Sequence, residues 1–263
     1  MEDINDEMTV VDESTNVIEP NLLSLSVDEK SSRFRGAEWF DTITNLHVTL
    51  AGLGGIGSHV AFLLSRIRVG SIVLYDGDVV EEANMSGQMY ISSDCGMSKV
   101  DAAYGMMLSM SSYGQITAFD QIFTASSTLS TKIAICGFDN MDARKTYYYS
   151  WRRKVDNAKD EDKSEYLFID GRLAAEEFQV LCITGDDNLS RLRYETEYLF
   201  PGSEADNVVC SYKQTTHIAS MIASVIVNLL TNFATNLSGN PVKRALPFFT
   251  EYKADYMYFK TED

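Results

Sequence analysis

The chain has 263 residues, 45% of them hydrophobic, and a formal net charge of -16. It is long enough for one large α/β domain or two small ones. That much negative charge argues against nonspecific attraction to nucleic acid or anionic membranes, so neither is expected as a partner.

Residues 1–32 open the chain with acids, Ser and Asn and carry no base before Lys30. This composition predicts an acidic, solvated arm, with Pro20-Asn21-Leu22-Leu23 as a docking segment or no function at all. It lacks the basic and apolar regions of a secretory signal, and the four cysteines contain no C-x-x-C pair. A cytoplasmic setting is therefore expected.

From about residue 33 strands and helices alternate. "LHVTLAG", "SIVLYD", "GQITAFDQIF", "KIAICG" and "YLFIDG" read as strands. "SHVAFLLSRIR", "SKVDAAYGMMLSM" and "NMDARKTYYYSWRRKV" read as helices, the last capped near Asn140 or Asp142. "NAKDEDKSE" reads as a charged connection. "EFQVLCITG" and "PFFTEYKADYMYFK" read as longer strands able to pair antiparallel, and "HIASMIASVIVNLLTNF" as a buried helix. The pattern predicts an α/β fold, a Rossmann-like and mostly parallel sheet with helices on both faces and an antiparallel C-terminal extension. No repeat or linker divides it, so one domain, residues 33–263, follows the arm.

Gly52, Gly54 and Gly57 satisfy G-x-G-x-x-G directly after a strand and at the start of a helix. The first glycine serves the turn, the second admits phosphates, and the third allows close helix–strand packing. Asp76 ends the next strand, where a carboxylate can accept bonds from ribose hydroxyls. These residues alone fit a dinucleotide-dependent oxidoreductase.

The residues that follow point elsewhere. Gly52-Leu53-Gly54-Gly55-Ile56-Gly57-Ser58 is followed by Asp76, Asp78, Val79, Asn84 and Gln88, then Lys99, then Asp139-Asn140 after a strand. Over residues 33 to 140 this set resembles the ThiF/MoeB/HesA family of ubiquitin-activating-type adenylating enzymes. The resemblance implies ATP and magnesium as cofactors and adenylation of the C-terminal carboxylate of a small ubiquitin-like protein or peptide. It implies that Gly52, Gly54, Gly55, Gly57, Asp76, Asp78, Asn84, Gln88 and Lys99 hold the nucleotide. Asn84 and Lys99 would contact phosphates, and Asp139 would hold magnesium. Each also has a plainer reading: Asp78 as a turn residue, Asn84 as a cap, Lys99 as a surface lysine, Asp139 as a helix cap.

The sequence departs from the family at Gly87, where relatives carry an arginine before the glutamine. N-x-S-G-Q resembles a variant of compact bacterial and phage ThiF-like proteins; a catalytically silent scaffold is the other reading. In the family an upstream arginine reaches a partner's ATP site, which implies a homodimer and makes Arg33 and Arg35 candidates to replace the missing cation. Cys210 falls where relatives place a thioester cysteine or a crossover loop, with Lys213 and His217 nearby in sequence. It reads as a nucleophile or as an inert cysteine. Tyr147-Tyr148-Tyr149 with Trp151 reads as a helix face or a dimer contact.

Overall fold

A computed structural model describes residues 27–34, 36–200 and 215–263. Arg35, Cys210 and Lys213 fall outside the described residues, as does the expected acidic arm up to residue 26. The last part of that arm forms α1 (Val27–Lys30) and the start of a single 3₁₀ turn.

The elements then run α2 (Phe40–Ile43), β1 (His47–Ala51), α3 (Gly55–Ile67), β2 (Ser71–Asp76), α4 (Lys99–Ser111), β3 (Ile116–Asp120), β4 (Ile133–Cys136) and α5 (Met141–Asn157). They continue with β5 (Leu167–Ala174), β6 (Glu177–Thr184), α6 (Asn188–Arg193), α7 (Thr216–Leu237), β7 (Phe249–Lys253) and β8 (Tyr258–Glu262). The strands form one sheet in the order β3-β2-β1-β4-β5-β6-β7-β8. From β3 to β5 the pairs are parallel; β5–β6, β6–β7 and β7–β8 are antiparallel. This is the expected Rossmann-like arrangement with its antiparallel extension. β4 is buried at every residue, as a central parallel strand covered on both faces must be.

Two hydrophobic clusters occupy the two faces. One packs α3, α4 and α7 against the sheet, with Leu50, Ile72, Ile135, Ile169 and Val180 contributed by strands. The other packs α5 on the opposite face around Tyr147, Tyr148, Trp151, Phe168 and Tyr194. Tyr147, Tyr148 and Trp151 are therefore core residues and not a dimer contact; Tyr149 alone of that run is exposed. Tyr147 and Trp151 also donate to the carbonyls of Thr49 and Lys132, which satisfies their polar ends inside the core.

α7 is the one described helix long and apolar enough to cross a membrane by length and composition, and its apolar face is mostly buried. It packs against α3, as the reading of a buried helix expects. The charged connection after α5 contains a 3₁₀ helix, Asp160–Glu165. Its Lys163 pairs with Asp160 at 2.6 Å, a local contact that lets a polar segment turn regularly. α6 was not anticipated. Asp187 caps it by accepting from the Ser190 amide at 3.0 Å.

Candidate functional site

The carboxyl ends of β1, β2, β4 and β5 open on one cavity of about 950 Å³. β1 and β4 are the neighbours between which the sheet order reverses, where ligands of such sheets bind. The cavity extends past β5 onto β6 and β7.

At β1 the chain leaves the sheet through Gly52, whose φ of +86° is the left-handed region. A Cβ there would lie 2.7 Å from the Gly137 carbonyl carbon, so the turn presses backbone against the end of β4. A Cβ on Gly57 would lie 1.8 Å from the Gly52 carbonyl oxygen, so Gly57 serves packing, and it does not line the cavity. Gly54 is different. The nearest atom to a Cβ built there is Gln88 Nε2 at 4.0 Å, and Gly54, Gly55 and Ile56 line the cavity where α3 begins. Space beside bare helix amides suits phosphate.

Asp76 ends β2 nearly buried and accepts from the amides of Leu53 at 2.6 Å and Asp78 at 2.9 Å. Burial pushes its carboxyl up, opposed by those two donors and by Lys99. Asp76 thus ties the glycine turn to β2 while lining the cavity. Lys99 opens α4 with its side chain 9% exposed, and its Nζ meets Asp78 Oδ2 at 2.8 Å, where Asp78 is 70% exposed. The Lys99 amide also donates to the Asp78 carbonyl at 2.9 Å. A lysine so held is no ordinary surface residue. Asp78, Gln88 and Lys99 all line the cavity, and Gln88 Oε1 is buried without a hydrogen-bond partner.

After β4 come Asp139 and Asn140. Asn140 caps α5, its Oδ1 accepting from the Ala143 amide at 2.8 Å. Asp139 is exposed and lines the cavity. The capping role suggested for Asp139 therefore belongs to Asn140.

Other expected residues are not brought together here. Asn84 does not line the cavity; its Oδ1 accepts from the Glu81 amide at 2.9 Å and closes a 3₁₀ turn, the plainer role considered for it. Gly87 lies buried beyond that turn, its carbonyl 3.3 Å from His59 Nε2. His59 Nδ1 meets Ser220 Oγ of α7 at 3.1 Å, and burial pushes the imidazole below its ordinary 6.5. Arg33 is exposed and lines no part of the cavity of its own chain. Among the described cysteines, Cys95 is exposed and Cys136 and Cys182 are buried strand residues. Burial pushes the Cys182 thiol up to about 12, which leaves it inert.

Two lining residues had no role in the sequence reading. Arg144, from the first turn of α5, donates to Asp170 Oδ1, to the Phe138 carbonyl and, at 3.0 Å, to the Gly171 carbonyl. Arg172 donates from Nε to Asp170 Oδ2 at 2.9 Å and to the Tyr198 carbonyl at 2.8 Å. Asp170 is fully buried and also accepts from Tyr194 Oη at 3.0 Å. The alternation of Asp170 and Arg172 on β5, which turns both to one face, was the available signal. Arg144 lies elsewhere in the chain, and only folding unites the three.

The site offers groups that suit a nucleotide. Gly54 leaves open space at a helix start with Gln88 Nε2 beside it as a donor, and Asp76 can accept from a ribose. Asp139 presents an exposed carboxylate that could hold magnesium. The described residues contain no group of three or more His, Cys, Asp or Glu able to hold a metal ion. Magnesium needs none, because one or two carboxylates with substrate phosphates and water suffice.

The ThiF family pattern matches residues 28–262. Ubiquitin-like modifier-activating enzyme 5 of Caenorhabditis briggsae is 42% identical over 64 residues, which are 24% of this chain and 15% of that protein. This chain thus matches far less than two thirds of that relative. The crystal structure of PaaA superposes with a TM-score of 0.68 at 17% identity, over 97% of this chain and 77% of that one. Escherichia coli MccB with ATP gives 0.57 at 14% identity, over 86% and 66%. The same protein with AMPCPP and MccA gives 0.63 at 14% identity, over 90% and 72%.

Proposed function

The chain belongs to the ThiF family, and from that membership we propose an ATP- and magnesium-dependent adenylyltransferase. Its substrate is the C-terminal carboxylate of a small ubiquitin-like protein or peptide. The observation that carries the reading is the meeting of Lys99, Asp139 and the open Gly54 turn in one cavity. A hydride-transferring enzyme has no need of that lysine and that carboxylate together. That relatives are named as activating enzymes, and that MccB crystallised with ATP, supports the reading.

In the reaction a substrate carboxylate oxygen uses a lone pair to bond the α-phosphorus. The bond from that phosphorus to the oxygen bridging the β-phosphate breaks, and pyrophosphate leaves with the electron pair. No proton moves. Lys99 stabilises the charge that grows on the phosphoryl oxygens, a contribution on the order of 3 kcal/mol for one well-placed donor. Gly54, the start of α3 and the Gln88 amide receive phosphate oxygens, while Asp76 takes the ribose. Asp139 would hold magnesium, which supplies positive charge to the phosphates.

The charges support the metal requirement. The nucleotide end carries the carboxylates of Asp76, Asp78 and Asp139 against the single ammonium of Lys99. A polyphosphate would meet net repulsion there without a divalent cation. In this reading Arg33, which lines no part of its own chain's cavity, serves a partner's site within a homodimer. The test is a thermal-shift comparison: ATP with magnesium raises the melting temperature, and ATP with EDTA or NAD does not. Stabilisation by NAD but not by ATP would overturn the proposal.

A further inference from the structure

Arg144 and Arg172 share one buried carboxylate. Asp170 is fully buried, and the side chains of Arg144 and Arg172 are 7% and 15% exposed. Two guanidinium groups against one carboxylate leave one unit of positive charge, and uncompensated buried charge is costly. The other bonds of the two arginines go to neutral acceptors, the carbonyls of Phe138, Gly171 and Tyr198. The Arg172 guanidinium also lies 5.7 to 6.0 Å from the ring centres of Tyr194, Tyr198 and Phe200, contacts that hold its plane but add no negative charge. Glu177 and Glu251 pair with neither arginine: both face Lys253, at 4.0 and 3.8 Å.

Both arginines line the same cavity as the nucleotide site. Sheet order fixes where along it. Asp76 lies at β2, the glycine turn at β1, Asp139 after β4, and the arginine pair at β5 beside the platform of β6 and β7. An anion held there is on the far side of Asp139 from the ribose and the glycine turn. It sits near Glu177 and Glu251, which would repel a polyphosphate. A single excess positive charge matches a univalent carboxylate, and a guanidinium offers planar donors suited to one.

We propose that Arg172, held by Asp170 and backed by Arg144, receives the terminal carboxylate of the acyl substrate and presents it to the nucleotide. The inference rests on the adenylation reading above and adds the residue that selects the substrate by its free chain end. Arg172 holds the carboxylate through its planar donors, and one of the two oxygens keeps a free lone pair for attack. Leu173, Ala174 and Phe178 give the preceding residues an apolar wall, and Glu177 and Glu251 select against acids there.

The experiment uses N-acetylglycylglycine, a blocked dipeptide with a free carboxylate, and its amide as control, in low-chloride buffer. Melting temperature is followed up to concentrations on the order of 50 mM, which saturate even a millimolar site. The acid should stabilise the wild-type protein and a Lys99→Ala variant, and the amide should stabilise neither. Arg172→Gln should lose the acid-dependent shift and keep the shift with ATP and magnesium. Arg172→Lys keeps the charge against Asp170 but loses the planar fork, and should bind the acid at least fivefold more weakly. It decides the matter if the glutamine variant fails to fold. An equal shift for acid and amide, an unshifted wild type, or an undiminished acid shift in either Arg172 variant overturns the proposal. Loss of the ATP shift in Arg172→Gln also overturns it, by making Arg172 a phosphate residue. Absence of the ATP shift in the wild type removes instead the adenylation reading, which the dipeptide measurement does not touch.

Discussion

The two ends of the cavity are built by opposite strategies. At the nucleotide end backbone does most of the work: Gly52 without room for a Cβ, the open Gly54 at the start of α3, and the Asp76 carboxylate tied to two amides. At the β5 end long side chains do it, with two arginines drawn from different elements onto one buried acid. In the readings proposed above, the first end carries more acid than base and would take an anion with a metal, whereas the second carries two arginines on one acid and would take an anion directly. A nucleotide and a carboxylate can therefore share one cavity without competing for the same charge.

The largest effect that would break this contrast is expected at Asp170. Asp170→Ala leaves two guanidinium groups facing each other without their shared acid, and removing one partner of a buried pair commonly costs about 3–5 kcal/mol. Urea denaturation measures it. A loss below about 1 kcal/mol would mean that the β5 end does not depend on its charges.

At the nucleotide end the matching substitution should separate stability from chemistry. Asp139→Ala should abolish ATP–pyrophosphate exchange, by roughly 100-fold or more, about 3 kcal/mol of transition-state stabilisation. Melting should stay close to wild type, because Asn140 and not Asp139 caps α5. The neighbouring Asn140→Ala should do the reverse, losing about 1 kcal/mol of stability while keeping exchange. If both variants lose stability alike, Asp139 is structural and the metal role falls.

The same contrast explains what the sequence made legible. Gly52, Gly54 and Asp76 follow a strand–turn–helix–strand spacing legible in the sequence, Lys99 and Asp139 were reached through the family resemblance, and all five line the cavity. Five parallel strands and the antiparallel extension were equally readable, because strand and helix periods alternate cleanly. Asp170 and Arg172 alternate on β5, but Arg144 has no spacing that ties it to them. Arg144 reads as one more charge on a helix, and "IDGR" as a strand end, until β4–β5 pairing brings α5 over Asp170. At Asn84 a family position implies phosphate contact; its side-chain oxygen closes its own turn, and the residue does not line the cavity. Gly57 likewise belongs to the glycine pattern but serves packing alone.

The smallest effect expected concerns acid. His59 joins α3 to the Gly87 carbonyl and to Ser220 of α7, behind the nucleotide end. Burial holds its pKa below 6.5, so the folded state binds its proton less readily than the unfolded chain. Its contribution to stability is then complete above the unfolded pKa and is lost as pH falls through about 6.5 toward the lower folded value. Protonation would also place a charge among α3, the 84–88 turn and α7. Hydrogen exchange between pH 7.5 and 5.5, after correction for the intrinsic rate, should show amides of that turn losing protection first, on the order of a few-fold. The β5 end has no comparable buried imidazole among the described residues, and amides around Asp170 should keep their protection over the same range. His59→Asn retains polar contacts without the titration and should flatten the pH dependence of the turn. If Asp170 amides open together with the turn, acid acts on the whole fold, and the two ends are not independent in this respect. If His59→Asn leaves the slope unchanged, another group carries it, and Asp76 does not fit the sign. Its carboxyl is pushed up by burial, so Asp76 favours the folded state more as pH falls.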